Sequence, residues 1–522
     1  MVKKYTDFMD EISEDELYEG LLAYGLFAEK LPPVFSATSF FYYCENHSES
    51  FSVGWNKYIT FRVIRNNGIP RIMGIPNPFK YQRLCFALKS NWDLIKEHFH
   101  KQTDNQDYRI SRIHIRKECN KKCIFKMSYN NWHVDGNPEL DLLIQDNSIS
   151  HILVKADLST CFPSIYTHSI PWALVGKDLA KRKYSDKDAW YNKIDSNCSD
   201  MHNGETHGIL IGPHTSNLLS EVILTVIDNT LYDKGYRYIR HIDDYECYVH
   251  SYDEAQRFLA DLESTLDEFD LRLNHKKTKI INLPMGMDKE WKHDLRALPS
   301  VNTNNIVNFT QANKFIDVAL KLAMENDDIA IINYAIKKMK SLKLEEDAKK
   351  LATKRFMHMA AIYPYLLCLM EDYVFFPYQV DKITIKKFSD AIYREAMKIN
   401  DYASLSYTIY FAIKFDFALD EFDNDWQRGQ GYIFNSKDCL LLVMAWLYFM
   451  KANRGKRDAT QIKPFNKLAR ELKKNDMDQY WLFCYEVLSH GNLAGEWKKM
   501  KKKDVSFIDS WITTEWYKES SN

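Results

Sequence analysis

Hydrophobic patterning divides the chain at about residue 298. Before that point, short apolar or aromatic runs bounded by turn residues alternate with amphipathic stretches, as strands mixed with helices do. After it, one helical period follows another and no strong strand is visible. In the first part, Leu17, Leu21, Leu22 and Leu26 fall at helical spacing, and Pro32-Pro33 is expected to end that helix. Tyr58–Ile64 is β-branched and aromatic, Asn66-Asn67-Gly68 reads as a turn, and Arg71–Ile75 as the returning strand of a hairpin. Residues 79–99 predict one amphipathic helix, Ser111–Lys117 a basic strand, and His151–Asp157 a buried strand. Gly208, Gly212 and Pro213 form a loop opening a long apolar helix to about Leu231. Tyr238–Val249 reads as strand, tight turn, strand; 253–270 as an amphipathic helix; 271–280 as turn and strand. Beyond Pro299, helices are expected at 310–324, 327–342, 344–371, 384–399, 401–419, 437–452, 463–474 and 476–489. Their spacing is loosely that of helical-pair repeats, although no residue signature recurs. The pattern predicts an α+β class with three parts: a helical segment over 1–50, a mixed domain over 51–298, and an all-α, helical-repeat-like (HEAT-like) domain over 299–522.

Composition adds little to that division. At 522 residues the chain is too long for one ordinary core. Lys and Arg total 70 against 71 Asp and Glu, so net charge points to no nucleic-acid partner and such a site would need a local patch. The lysines of Trp497–Lys503 are one such run, read either as a solvated helix face or as a phosphate contact. Cys119 and Cys123, with His114 nearby, are the closest metal-type spacing, but no second cysteine pair follows to complete a zinc site. Scattered unpaired thiols, no apolar run of spanning length and no signal peptide at the first residues give the expectation of a cytoplasmic protein off the membrane.

Chemistry concentrates at three places. Asp157 ends an apolar strand, Asp243 and Asp244 lie at a hairpin turn, and the glycine loop comes between them in sequence. Helices must bridge the interval for the strands to pair, giving a sheet with helices on one face and carboxylates at its open end. Side-by-side carboxylates repel unless a cation neutralises them, and three converging ones suit two Mg²⁺ ions in phosphoryl or nucleotidyl transfer. Arg62, Arg65 and Arg71 on the first hairpin either clamp phosphates or form a solvated face.

These residues resemble the palm motifs of reverse transcriptases, in that family's order, over about residues 55–290. Asp157-Leu-Ser-Thr-Cys-Phe162 resembles the first motif and Gly208–Asn217 the second. His241-Ile-Asp-Asp244 stands where the family has Tyr-x-Asp-Asp, and Asn274-His-Lys-Lys-Thr278 resembles the lysine-bearing fourth motif. Leu283-Pro-Met-Gly286 is similar to the primer-grip turn. The resemblance implies a reverse-transcriptase-like fingers–palm fold. It implies Mg²⁺ or Mn²⁺ held by Asp157, Leu158, Asp243 and Asp244, with Lys277 or its neighbour Lys276 acting on the leaving pyrophosphate. Arg71, Arg65 and Gly212 would contact the nucleotide, and Phe162 would exclude a 2′-hydroxyl, favouring dNTPs. Two positions depart from the family: Ile211 replaces the glutamine of the second motif and His241 the tyrosine. Both weaken the case for copying a long template.

A narrower resemblance lies in Tyr166-Thr-His-Ser-Ile-Pro-Trp172, Gly176-Lys177, Glu205-Thr-His-Gly208 and Asn217-Leu-Leu-Ser220, which are similar to bacterial abortive-infection polymerases of the AbiK and AbiA kind. These are oligomeric antiphage enzymes with a helical C-terminal domain. Some make single-stranded DNA without a template, attached to a tyrosine of their own chain, and related enzymes copy a partner non-coding RNA. Tyr5, Tyr42 and Tyr43 are the candidate primers carried forward, with Tyr18, Tyr24 and Tyr517 also near the termini. Three functions therefore compete: a protein-primed, untemplated DNA polymerase in phage defence, an RNA-templated reverse transcriptase, and an idle scaffold. The intact Asp157, Asp243 and Asp244 speak against the last.

Overall fold

The computed structural model describes residues 4–27, 30–46, 51, 57–65, 68–116, 124–127, 142–145, 148–284, 290–296, 306–427 and 431–518. Cys119, Cys123, the His114 and Tyr517 side chains, Asn66-Asn67 and Gly286 lie outside the described residues. Strands β1 (Ile59–Ile64) and β2 (Pro70–Ile75) make the first hairpin, and β3 (Ile113–Ile115) pairs with β4 (Phe125–Met127). The central sheet contains β5 (Ile152–Asp157), β6 (Tyr238–His241), β7 (Asp244–Val249) and β8 (Lys279–Asn282). Its spatial order is β8-β5-β7-β6, with every neighbouring pair antiparallel. Register places Asp157 opposite Asp244, and Asp244 opposite His241, in one row at one end of the sheet.

Successive strand residues face opposite sides, and here the two sides differ in size. Val154, Tyr238, Tyr245 and Cys247 join the main core, whereas Leu153, Ile239 and Tyr248 form a small separate cluster with Leu142. Helices cover the first side: Phe258 of Tyr252–Asp267 packs its ring 5.9 Å from that of Tyr238. Helices Ser169–Val175, Lys177–Arg182, Trp190–Met201 and His214–Asp233 bridge β5 to β6. No helix among the described residues is long and apolar enough to cross a membrane.

The C-terminal half is helical, through Phe309–Glu325, Ala330–Lys340, Glu346–Ile362, Lys382–Ile399, Tyr402–Phe415, Cys439–Ala452, Lys463–Asp476 and Trp481–Val487. Every residue of Cys439–Met450 is buried, as for a helix surrounded on all sides. The N-terminal segment packs into this half. Ser36 donates to the Phe507 carbonyl at 2.9 Å, and the Asp509 amide donates to that of Val34 at 2.8 Å.

Several elements differ from their sequence expectation. The helix expected over 79–99 is two, Pro78–Ser90 and Trp92–Thr103, because the Asn91 side chain donates to the Ala87 carbonyl at 2.8 Å and its backbone leaves the helical region. The helix expected over 344–371 stops at Ile362, since Pro364 lacks an N–H and drives Tyr363 to φ −119, ψ 81. The first helix is Glu14–Leu22, ending well before Pro32. A short parallel pair, Ile306–Val307 with Lys343–Leu344, lies where no strand was expected. In the lysine run, Lys499, Lys502 and Lys503 are exposed, as on a solvated face, whereas Lys501 is turned inward and donates to the Glu486 carbonyl at 3.2 Å.

Candidate functional site

Asp157 is the last residue of β5 and Asp244 the first of β7. Asp243 lies in the two-residue turn between β6 and β7. Neighbours on a regular strand point apart, so Asp243 and Asp244 share a site only if the turn redirects one of them. Ile242 does this with φ +59, a left-handed conformation that a β-branched side chain adopts at a cost on the order of 1–3 kcal/mol. The Asp243 carbonyl is held by the Leu158 amide at 3.0 Å. Leu158 is itself buried and its side chain bears no ligand atom. Carboxylate oxygens of Asp157, Asp243 and Asp244 all lie within 4.8 Å of one another. A cluster of hard oxygen donors of this kind suits a divalent ion such as Mg²⁺ or Mn²⁺.

The charges show their mutual cost. Burial lifts the Asp243 carboxyl above its ordinary range, and the Asp157 charge adds to this while Lys277 and Arg71 oppose it. Asp244 is exposed as a residue, yet the protein around its carboxyl, then Asp243 and Asp157, push it up to about 7. Lys277 is the lysine that reaches the cluster: its Nζ lies 2.8 Å from Asp157 Oδ2, and that hydrogen bond raises its pKa. Asn274 adds a side-chain donor to the same oxygen at 3.0 Å and a main-chain bond to the Asp157 carbonyl at 2.7 Å. Burial lowers His241 to about 4, so its imidazole is neutral at pH 7.

The glycine loop docks on the other side of Asp157. Ile209 donates to the Phe162 carbonyl at 2.9 Å, and Gly208 to that of Ile165 at 2.9 Å. Gly208 has φ +89, and a Cβ there would lie 2.9 Å from the Pro163 carbonyl oxygen, so a side chain is excluded twice. Phe162 is half-buried against the core. Gly212 is also left-handed, at φ +132, and the carbonyl before it, of Ile211, accepts from Gly74 of β2 at 2.9 Å. That bond fastens the first hairpin to the loop. On that hairpin the charge of exposed Arg71 opposes the rise of the Asp243 carboxyl, whereas Arg65 directs its Nε at the Ile69 carbonyl of its own turn, 3.3 Å away.

The tyrosines separate. Tyr5 is buried and donates to Glu221 at 2.9 Å, with burial raising its pKa far above the ordinary value. Its hydroxyl is enclosed and engaged by Glu221. Tyr43 is buried too, 3.5 Å from Glu496, and burial pushes it up to about 12. Tyr42 is 51% exposed.

Beneath the turn lies a set of residues that the sequence reading passed over: Arg240, Glu221 and Asp228, all fully or almost fully buried. Glu221 and Asp228 are seven residues apart on the largely buried helix His214–Asp233, hence on one face two turns apart. That spacing was the available signal.

Residues 99–316 match the family model described as Reverse transcriptase (RNA-dependent DNA polymerase). Enzymes of this type use divalent metal ions. No curated protein matches the chain. Among solved structures, telomerase from Candida tropicalis truncated from its C-terminal domain is similar at 14% identity and TM-score 0.31, over 45% of this chain and 52% of that one. Apo telomerase from Candida tropicalis is similar at 12% and TM-score 0.32, over 86% and 75%. Telomerase from Candida albicans in complex with a TWJ fragment of telomeric RNA is similar at 11% and TM-score 0.31, over 85% and 66%. The chain thus spans about half the length of the first of these structures.

Proposed function

We propose that this chain is a Mg²⁺- or Mn²⁺-dependent DNA polymerase of antiphage defence that adds dNTPs to make single-stranded DNA, primed by its own tyrosine and without a template. The observation that carries the reading is the convergence of Asp157, Asp243 and Asp244 within 4.8 Å, with Lys277 against Asp157. When bound, divalent ions neutralise phosphate charge and make an attacking hydroxyl more acidic. Asp157, Asp243 and Asp244 would hold them. Arg71 would orient the triphosphate and Lys277 would carry a proton to the departing pyrophosphate. Phe162 would bar a ribose 2′-hydroxyl. Residues 51–298 would form the fingers–palm unit, 1–50 its N-terminal helical segment, and 299–522 a helical unit for assembly into oligomers. Ile211 in the place of the second motif's glutamine, and His241 in that of the tyrosine, favour untemplated synthesis over copying of a partner non-coding RNA. Tyr42 is the priming hydroxyl this reading prefers, because it alone of Tyr5, Tyr42 and Tyr43 is exposed.

The test is purified protein supplied with each dNTP and Mg²⁺ or Mn²⁺, before and after nuclease treatment. Nuclease-resistant activity yielding DNA linked to the Tyr42 peptide by mass spectrometry is expected. Activity lost with the nuclease, and product complementary to a co-purifying RNA, would establish templated copying instead. Free 5′ ends on all product would remove protein priming.

A further inference from the structure

The guanidinium of Arg240 has five N–H bonds in a fixed fork, and each finds an acceptor. Nε and one terminal nitrogen, Nη2, hold Asp228 at 2.7–3.0 Å. Nη2 also reaches Glu221 Oε2 at 3.2 Å. The other, Nη1, donates to Glu221 Oε1 at 2.8 Å and to the main-chain carbonyl of Ile242 at 2.9 Å. That last acceptor belongs to the strained residue that turns Asp243 toward Asp157. The main chain of Arg240 is fixed as well: its amide donates to the Ile110 carbonyl at 2.9 Å, and its carbonyl accepts from Arg112 at 2.8 Å. Glu221 Oε2 is fixed in turn by the Ser111 and Tyr5 hydroxyls, each at 2.9 Å.

A buried ion cluster adds little net stability over well-packed apolar side chains. Stability therefore does not account for a fork that ends on a carbonyl of the catalytic turn. Resting on the polymerase reading above, we propose that Arg240 is a positioning residue for the metal-holding turn, keeping Ile242 in its left-handed conformation, and that Tyr5 of the N-terminal segment fixes Arg240 through Glu221. The segment's tyrosine thus becomes part of the frame of the active site. A lysine at 240 keeps the charge but has no planar fork, so it cannot serve Asp228, Glu221 and the Ile242 carbonyl together.

The experiment uses the full chain, Arg240→Lys and Tyr5→Phe, and reads Mn²⁺ binding by electron paramagnetic resonance, kcat and KM for dNTP incorporation, and thermal stability. Partners that orient metal ligands typically change metal affinity by about 10- to 100-fold when lost. Arg240→Lys is expected to weaken Mn²⁺ binding by about tenfold and lower kcat similarly, with KM for dNTP within about twofold. Tyr5→Phe leaves the ion cluster in place and is expected to shift Mn²⁺ affinity the same way by a smaller factor, at near wild-type thermal stability. Wild-type Mn²⁺ affinity and kcat in folded Arg240→Lys would overturn the proposal. Should that variant not fold, wild-type Mn²⁺ affinity in Tyr5→Phe overturns it. A wild-type chain that binds no Mn²⁺ and incorporates no dNTP sinks the polymerase reading and this inference with it, whereas an active wild type with unchanged variants sinks the inference alone.

Discussion

Asp244 carries the pH response of the site. Its carboxyl sits at about 7 in the folded chain, against about 3.9 when unfolded. A carboxyl raised on folding binds a proton more tightly in the native state, so its contribution to stability falls as pH rises from about 4 to about 7 and is level beyond. Metal-free protein is expected to lose thermal stability across that window, and Asp244→Asn to flatten the loss. A divalent ion needs the carboxylates ionised, so it competes with the proton. Mg²⁺ or Mn²⁺ should therefore raise the melting temperature more at pH 8 than at pH 6; equal shifts at both would contradict the assignment. Asp243→Asn keeps the shape of the turn while removing one charge. It is expected to lower dNTP incorporation on the order of a thousandfold, since metal-borne charge stabilisation is worth several kcal/mol, with an unchanged circular dichroism spectrum.

Between residue and molecule, the loop at 208–212 shows how elements bind to one another. Gly208 lets it lie against the segment carrying Phe162, and Ile211 ties it to β2. Gly208→Ala meets both a left-handed φ and a carbonyl oxygen at 2.9 Å, and is expected to cost about 1–3 kcal/mol, read as a lower denaturation midpoint. Gly68→Ala, also at positive φ but with open space around it, costs only the backbone part. The sequence made the three aspartates legible because each stands at the end of an apolar run, where a change of period marks the end of a strand. It could also foresee a glycine loop, since few other residues tolerate such backbone. The break at Asn91 was hidden because the apolar period runs through it, and only a side-chain bond to the Ala87 carbonyl ends the helix. Arg240 was hidden for a different reason. Its partners Glu221 and Asp228 come from another element, a helix that periodicity alone assigns to the core.

At the scale of the whole molecule, the buried core is continuous from Tyr5 to Ile512. Phe507 is a junction in it. Fully buried, it packs against Phe27 and Phe40 from the N-terminal segment and against Trp481 and Tyr485 from the C-terminal helices, at centroid distances of 4.9–6.3 Å. Phe507 also joins the two through its main chain, donating to Glu486 and accepting from Ser36. The same N-terminal segment ends, through Tyr5, on Glu221 beneath the turn that carries Asp243. Loss of a buried phenyl ring typically costs 3–5 kcal/mol, and here the cavity would open between the two halves. Phe507→Ala is therefore expected to lower the denaturation midpoint of the entire chain in one transition, followed alike by far-ultraviolet circular dichroism and by dNTP incorporation. An early transition confined to the C-terminal helices, with incorporation retained through it, would mean that the two halves are stabilised independently and that the junction is only a contact. The contrast is sharp because the rings Phe507 packs against, Phe27, Phe40, Trp481 and Tyr485, hold none of the three carboxylates, so any loss of incorporation must travel through the shared core.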